Sequence, residues 1–186
     1  MRTDVTKKLF TVDEYYRMAD AGIFTEDDRV ELIEGEILEM SPIGHRHMVC
    51  VDRANDLLTS ALRGKALISV QNPLRLNKYN EPQPDIVVLK WRADYYASKL
   101  HTPEDTLLVL EVSDTTLRYD TKVKLPIYAV SGISEVWIEN LQDDQLLVYR
   151  NPAGTSYQVC LILKREDSIS VQTLPDVVFK VLDLLG

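Results

Sequence analysis

The sequence predicts an α/β fold, a central mixed sheet flanked by helices, and three observations carry that prediction. Helical and strand-like patterns alternate along the chain, in the order helix, hairpin, helix, several strands, helix, strand. The runs 86–89 and 107–110 are continuously aliphatic, as expected of strands covered on both faces. No internal repeat, low-complexity tract or Pro/Gly/Ser-rich linker breaks the 186 residues, so 1–186 reads as a single domain.

The elements follow in order. Thr11 is a good N-cap, Glu14 three residues on completes a capping box, and Gly22 lies near the end of that first helix. Arg29–Glu34, Gly35 and Glu36–Met40 read as two strands around a tight turn, their glutamates alternating with aliphatic residues. A longer helix spans about His45 to Leu62, with His47, Val51, Ala54, Leu58 and Ala61 forming an apolar stripe. Strands are expected at Leu67–Val70, Leu74–Leu76, Asp85–Leu89 and Leu107–Ser113, all rich in Val, Ile and Leu. A second long helix runs from about Tyr119 to Val130 and stops at Ser131-Gly132. Pro126 inside it predicts a bend, because proline removes a backbone donor. Strands follow at Glu135–Glu139, near Leu146–Tyr149 and at Tyr157–Leu163, and a short helix is expected after Pro175.

Composition narrows the function classes. Hydrophobic residues at 45% and charged residues at 27% exclude wholesale disorder. No apolar run approaches the roughly 20 residues of a membrane helix, so no membrane partner is expected. Met1–Val5 lacks the apolar segment of a secretory signal. Cys50 and Cys160 are too few for a disulfide framework or a cysteine zinc site. A reduced, cytoplasmic protein is the expectation. A net charge of −8 counts against a simple nucleic-acid coat protein. The charge is uneven, however: residues 41–124 hold 12 basic and 10 acidic side chains, and this is where the chemistry-bearing residues fall.

Three segments carry that chemistry. Asp85, after Pro84, opens a strand that is otherwise apolar. In 107–113 the strand period of two places Leu107, Val109, Glu111 and Ser113 on one face, so Glu111 shares its face with buried aliphatic neighbours. A carboxylate there costs several kcal/mol unless a cation or hydrogen bonds compensate it. If the two strands are neighbours, Asp85 and Glu111 converge on one hard cation, for which Mg²⁺ is suited. On the following helix Asp120, Lys124 and Tyr128 recur at four-residue steps, bringing an amine toward Glu111. Taken singly, each residue has a plainer reading: a turn aspartate for Asp85, a strand end for Glu111, an intrahelical ion pair with Asp120 for Lys124. Their occurrence together and in order favours a shared site.

Other candidates are weaker. His47, on the apolar stripe of its helix, reads as a satisfied core histidine, and His45/His47 have the wrong spacing for a helical zinc pair. No Gly-x-Ser-x-Gly elbow or phosphate-cradling glycine loop occurs. Both cysteines read as small buried hydrophobes. Trp91, Tyr95 and Tyr96, interleaved with Lys90, Arg92 and Lys99, have the composition of a base-stacking surface, although ordinary core is the preferred reading.

An aspartate after proline, a glutamate on the next strand and a lysine beyond it resemble the PD-(D/E)xK nuclease superfamily. More narrowly, the chain resembles the Uma family of restriction-endonuclease-like proteins. The residues that carry the resemblance are Val30–Glu36, His47, Pro84-Asp85-Ile86, Leu110–Ser113, Asp120–Lys124, Tyr128-Ala129 and Gly132–Trp137, in order over nearly the whole chain. The resemblance implies a restriction-endonuclease-like core with Asp85 and Glu111 as ligands of Mg²⁺, or Mn²⁺, and DNA as the nucleic-acid partner. The superfamily lysine two residues after the glutamate is Ser113 here. The resemblance moves that role to the next helix, to Lys124 by its spacing from Asp120, with Lys122 as the alternative. It also brings in an N-terminal glutamate, Glu31 or Glu36. Two functions follow: a metal-dependent endonuclease of DNA, or a catalytically silent nuclease fold acting as a binding or assembly module. Exposed apolar residues on the late strands suggest a homodimer.

Overall fold

The computed structural model describes residues 6–25 and 27–186. Met1–Val5, read above for a leader segment, lie outside the described residues. Helix α1 (Val12–Asp20) has Thr11 as N-cap, its hydroxyl accepting from Glu14 N while the Glu14 carboxylate accepts from Thr11 N. Strands β1 (Val30–Ile33) and β2 (Glu36–Glu39) form the expected hairpin. Its turn uses Glu34 and Gly35 at φ 52° and 76°. A Cβ on Gly35 would lie 2.7 Å from Leu9 Cβ, so only glycine lets the preceding segment close on the turn.

Helix α2 (His45–Ala61) buries Cys50, Val51, Ala54 and Leu58. Ala61 is exposed and Leu62 takes the last place on the stripe. Strands β3 (Ala66–Val70), β4 (Ile86–Lys90), β5 (Thr106–Ser113), β6 (Glu135–Asn140), β7 (Gln145–Ala153) and β8 (Ser156–Leu163) form one sheet in sequence order. All neighbours are antiparallel except β5 and β6, so the sheet is mixed. That parallel pair requires a crossover, and the helical segment 117–130 supplies it.

Leu74–Leu76 is not a strand. Its amides bond singly, Leu74 N to Pro82 O and Leu76 N to Asn80 O. Pro73, Pro82 and Pro84 remove the donors a ladder would need. The crossover also differs from a plain helix. It comprises α3 (Leu117–Tyr119), a π-helical turn Asp120–Lys124 and α4 (Leu125–Val130). The widened turn precedes Pro126, which has no N–H and whose ring would crowd the carbonyl four residues back. Gly132, at φ 79°, follows its C-cap Ser131. The C-terminal segment adds an unexpected hairpin, β9 (Ser168–Ser170) with β10 (Val178–Lys180), before the short helix α5 (Val181–Leu185).

The sheet separates two cores. Leu108, Leu110 and Val112 of β5 pack with α2, Trp137 and α5, while Val109 packs with Ile33, Val87, Tyr128 and Ile138 on the opposite face. Glu111 and Ser113, alternating with the first set, therefore lie on the crossover side. Among the described residues no helix is long and apolar enough to cross a membrane.

Candidate active site

The site forms where β4 begins and β5 ends. Ile86 is in register with Leu110, which sets Asp85 beside Glu111. Asp85 N reaches Glu111 Oε2 at 3.4 Å, and Val112 N donates to Asp85 Oδ2 at 2.9 Å. Gln71 Nε2 donates to Asp85 Oδ1 at 3.3 Å. The π turn then delivers Lys124, only 6% exposed, between two carboxylates. Its Nζ is 3.2 Å from Glu111 Oε1 and 3.6 Å from Glu31 Oε2. Tyr128 OH donates to the same Glu111 Oε1 at 2.6 Å.

Each surrounding group is fixed in turn. Glu31 accepts from Tyr119 OH at 2.8 Å and from Gln83 N at 3.1 Å. Asp120 Oδ2 accepts from Ser113 Oγ at 2.6 Å and Thr116 Oγ1 at 2.7 Å. Ser113 thus stands at the strand end as an anchor for Asp120. His47, in the first turn of α2, sets Nε2 3.0 Å from Asp85 Oδ2.

The electrostatics follow from one buried lysine among Glu31, Asp85, Glu111 and Asp120. Burial pushes the Glu111 carboxyl up to about 8, with Lys124 opposing the shift and Asp120 and Asp85 adding to it. The acids hold Lys124 above its ordinary value against the opposite pull of burial, so it is a permanent cation rather than a neutral amine. Burial likewise raises Asp120. Asp85 moves down despite burial, chiefly through its hydrogen bond with His47, and that same bond raises His47.

A family model described as "Putative restriction endonuclease", Uma2, matches residues 12–183. The chain belongs to the Uma2 family. The fold is also similar to a crystal structure described as a "putative nuclease belonging to DUF820" from Anabaena variabilis. The TM-score is 0.74 at 15% identity, over 95% of this chain and 97% of that one. No curated protein matches.

Within this Uma2 chain the residues left as alternatives by sequence lie in different places. Glu31 is buried at the site, whereas Glu36 sits two ladder positions nearer the hairpin turn, about 7 Å further along, and pairs with Lys7 at the surface. Lys124 is buried against the acids, whereas Lys122 is exposed and lines the cleft wall. The core reading of His47 is corrected: the first turn of α2 overhangs the cleft, Nε2 engages Asp85, and buried Nδ1 has no hydrogen-bond partner among the described residues. Cys160 is exposed because β8 is the sheet edge, while Cys50 is buried as expected. Gln71, Tyr119 and Thr116 complete the site without a sequence signal, since amides and hydroxyls of this kind line countless loops.

These groups border a cleft of about 960 Å³ whose walls also carry Arg29, Arg118 and Lys122. Among the described residues no three His, Cys, Asp or Glu side chains form a ready-made metal cage. The donor set nevertheless fits a hard divalent cation. Asp85 Oδ1 and Glu111 Oε2 each carry one long contact, at 3.3 and 3.4 Å, and both residues line the cleft. Mg²⁺ needs no more than one or two protein carboxylates, taking the remainder from water and phosphate oxygens.

Proposed function

We propose that this Uma2 protein is a metal-dependent endonuclease that hydrolyses phosphodiester bonds in DNA. The observation that carries the reading is Lys124, buried and charged between Glu31 and Glu111 while Asp85 abuts the same glutamate. Mg²⁺, or Mn²⁺ in its place, would be held by Asp85 and Glu111 and would supply an activated water and charge neutralisation at the phosphate. Lys124 adds a fixed positive charge toward the negative charge that develops on the phosphoryl oxygens. Its raised pKa makes it an electrostatic group and excludes it as a general base near neutral pH. Tyr128 and Lys124 hold one oxygen of Glu111 and so orient the other. His47 and Val112 N do the same for Asp85. Arg118 and Lys122, exposed at the cleft, are placed to meet the backbone of the strand being cut.

Purified protein should nick supercoiled plasmid with Mg²⁺ or Mn²⁺, and Asp85→Ala should abolish nicking while retaining the fold by circular dichroism. No cleavage by wild-type protein across several metals and DNA substrates would refute the enzyme reading. The net charge of −8 favours a second reading, a nuclease fold that binds or assembles without cleaving. That reading predicts unchanged DNA under every metal tested. A homodimer belongs to the same proposal, its contact supplied by apolar residues such as Leu161 and Ile162 exposed on β8. A monomeric mass in light scattering would contradict it.

A further inference from the structure

The aromatic segment after β4 does not enter the core as a unit. Trp91 is 50% and Tyr95 72% exposed, whereas Tyr96 is buried. Tyr96 is the anchor: its OH donates to Lys90 O at 2.9 Å, and its ring packs edge-on to His101 and under the Arg92 guanidinium at 4.8 Å. With Tyr96 fixed, Tyr95 and Tyr96 both adopt left-handed backbone, at φ 50° and 60°, a conformation that non-glycine residues seldom hold without a surrounding structure to enforce it. Trp91 and Tyr95 line one cleft of about 450 Å³, bounded also by Arg63 and by β3.

Charge says what this cleft accepts. Arg92 is paired with Asp94 and Lys99 with Asp105. Arg63, Lys65 and Lys90 are exposed and, among the described residues, have no ion-pair partner. Lys90 lies in register with Ala66, directly after Lys65, so these cations gather where β3 meets β4. Among the described residues Glu104 is the acid of the same loop without an ion-pair partner. A basic surface carrying two exposed aromatic rings, on a protein of net charge −8, is complementary to phosphates with bases free to stack.

We propose that this cleft is a second nucleic-acid site, which takes unpaired nucleotides of a DNA strand with bases on Trp91 and Tyr95 and phosphates on Arg63 at its wall and on Lys65 and Lys90 at the adjoining end of β3 and β4. The substrate class rests on the nuclease reading above. Asp85 stands at one end of β4 and Trp91 just beyond the other, about 20 Å apart along the strand. The site is therefore separate from the catalytic cleft, and it extends the contact with a strand held there.

The chain has two tryptophans, and Trp137 is fully buried. Quenching of tryptophan fluorescence by an oligonucleotide therefore reads Trp91. Titration with (dT)₁₂ in the absence of metal should quench the accessible emission, and Trp91→Phe should remove the quench. In fluorescence anisotropy with labelled (dT)₁₂, Trp91→Ala and Tyr95→Ala should each weaken binding by roughly ten-fold or more. Absence of quenching, or unchanged affinity in Trp91→Ala, would overturn the proposal even if plasmid cleavage persists. Quenching with no cleavage would instead spare this site and refute the nuclease reading. Self-association that Trp91→Ala abolishes, with no response to (dT)₁₂, would assign the cleft to a second copy of the chain and also overturn it.

Discussion

Lys124→Met is the most informative perturbation of the buried charge cluster. Methionine approximates the length of the lysine stem but leaves Glu31 and Glu111 without their cation, at contacts of 3.6 and 3.2 Å. At an effective dielectric constant of about 20, each contact represents roughly 5 kcal/mol of attraction. Desolvation of the ammonium cancels much of this, and removing one partner of a buried pair typically costs about 3–5 kcal/mol. With an unfolding entropy of about 2.1 cal/mol/K per residue, 186 residues give roughly 0.4 kcal/mol/K, so melting should fall by about 8–13 °C. The loss has a defined pH dependence. Glu111 in the folded wild type already sits up at about 8, above its unfolded value of 4.5, and loss of the neighbouring cation raises it further. A carboxyl with a raised folded pKa is penalised progressively as pH climbs from the unfolded value through the folded one. Below about pH 8 Glu111 is protonated in both folded proteins, so the deficit of Lys124→Met should be level from pH 5 to 7 and grow above pH 8, where the wild-type carboxyl ionises and the variant's does not. Calorimetric melts of both proteins at pH 5, 7 and about 9.5 measure it. A variant melting within about 2 °C of wild type at about pH 9.5, or a deficit no larger there than at pH 5, would refute the assignment of Lys124 as the cation against which Glu111 ionises.

Tyr128→Phe removes a 2.6 Å hydrogen bond to Glu111 while keeping the buried ring. Above pH 8, where Glu111 is ionised, a bond to a charged group contributes about 1.5–3 kcal/mol, so melting should fall by about 4–8 °C there; equal stability would show that the bond is not made in solution. Glu14 is held down to about 2, first by its hydrogen bond from Lys8 and then by Thr11. Its contribution to α1 is present above the unfolded value of 4.5 and is lost as pH falls through about 2. The Thr11 amide shift should titrate with a midpoint near 2, and one near 4.5 would show the capping box open.

The legibility of the molecule in its sequence divides along physical lines. Strands such as 107–113 declare themselves because each side chain alternates between two buried faces, so Glu111 among aliphatic residues was conspicuous. The Thr11/Glu14 cap is equally local and equally visible. Lys124 is recognisable by type and order, but its choice over Lys122 depends on which side of the crossover lies against Glu31 and Glu111, a matter of tertiary packing. Glu31 and Glu36 alternate identically with aliphatic neighbours, and only the distance along the hairpin separates them. Leu74–Leu76 has strand composition, yet its prolines deny it a ladder. The position of His47 is not legible locally, because an apolar stripe says which way a helix faces, not how far the core beneath it extends. The exposure of Cys160 is not legible locally either, because edge position is a property of the whole sheet.

Anomalous diffraction from a crystal soaked in Mn²⁺ tests the metal site directly. One strong peak should appear bonded to carboxylate oxygens of both Asp85 and Glu111, with Lys124 Nζ still against Glu111, and Asp85→Asn should lose that peak. A well-ordered cleft with no peak at saturating Mn²⁺, or a peak that touches neither carboxylate, would contradict it.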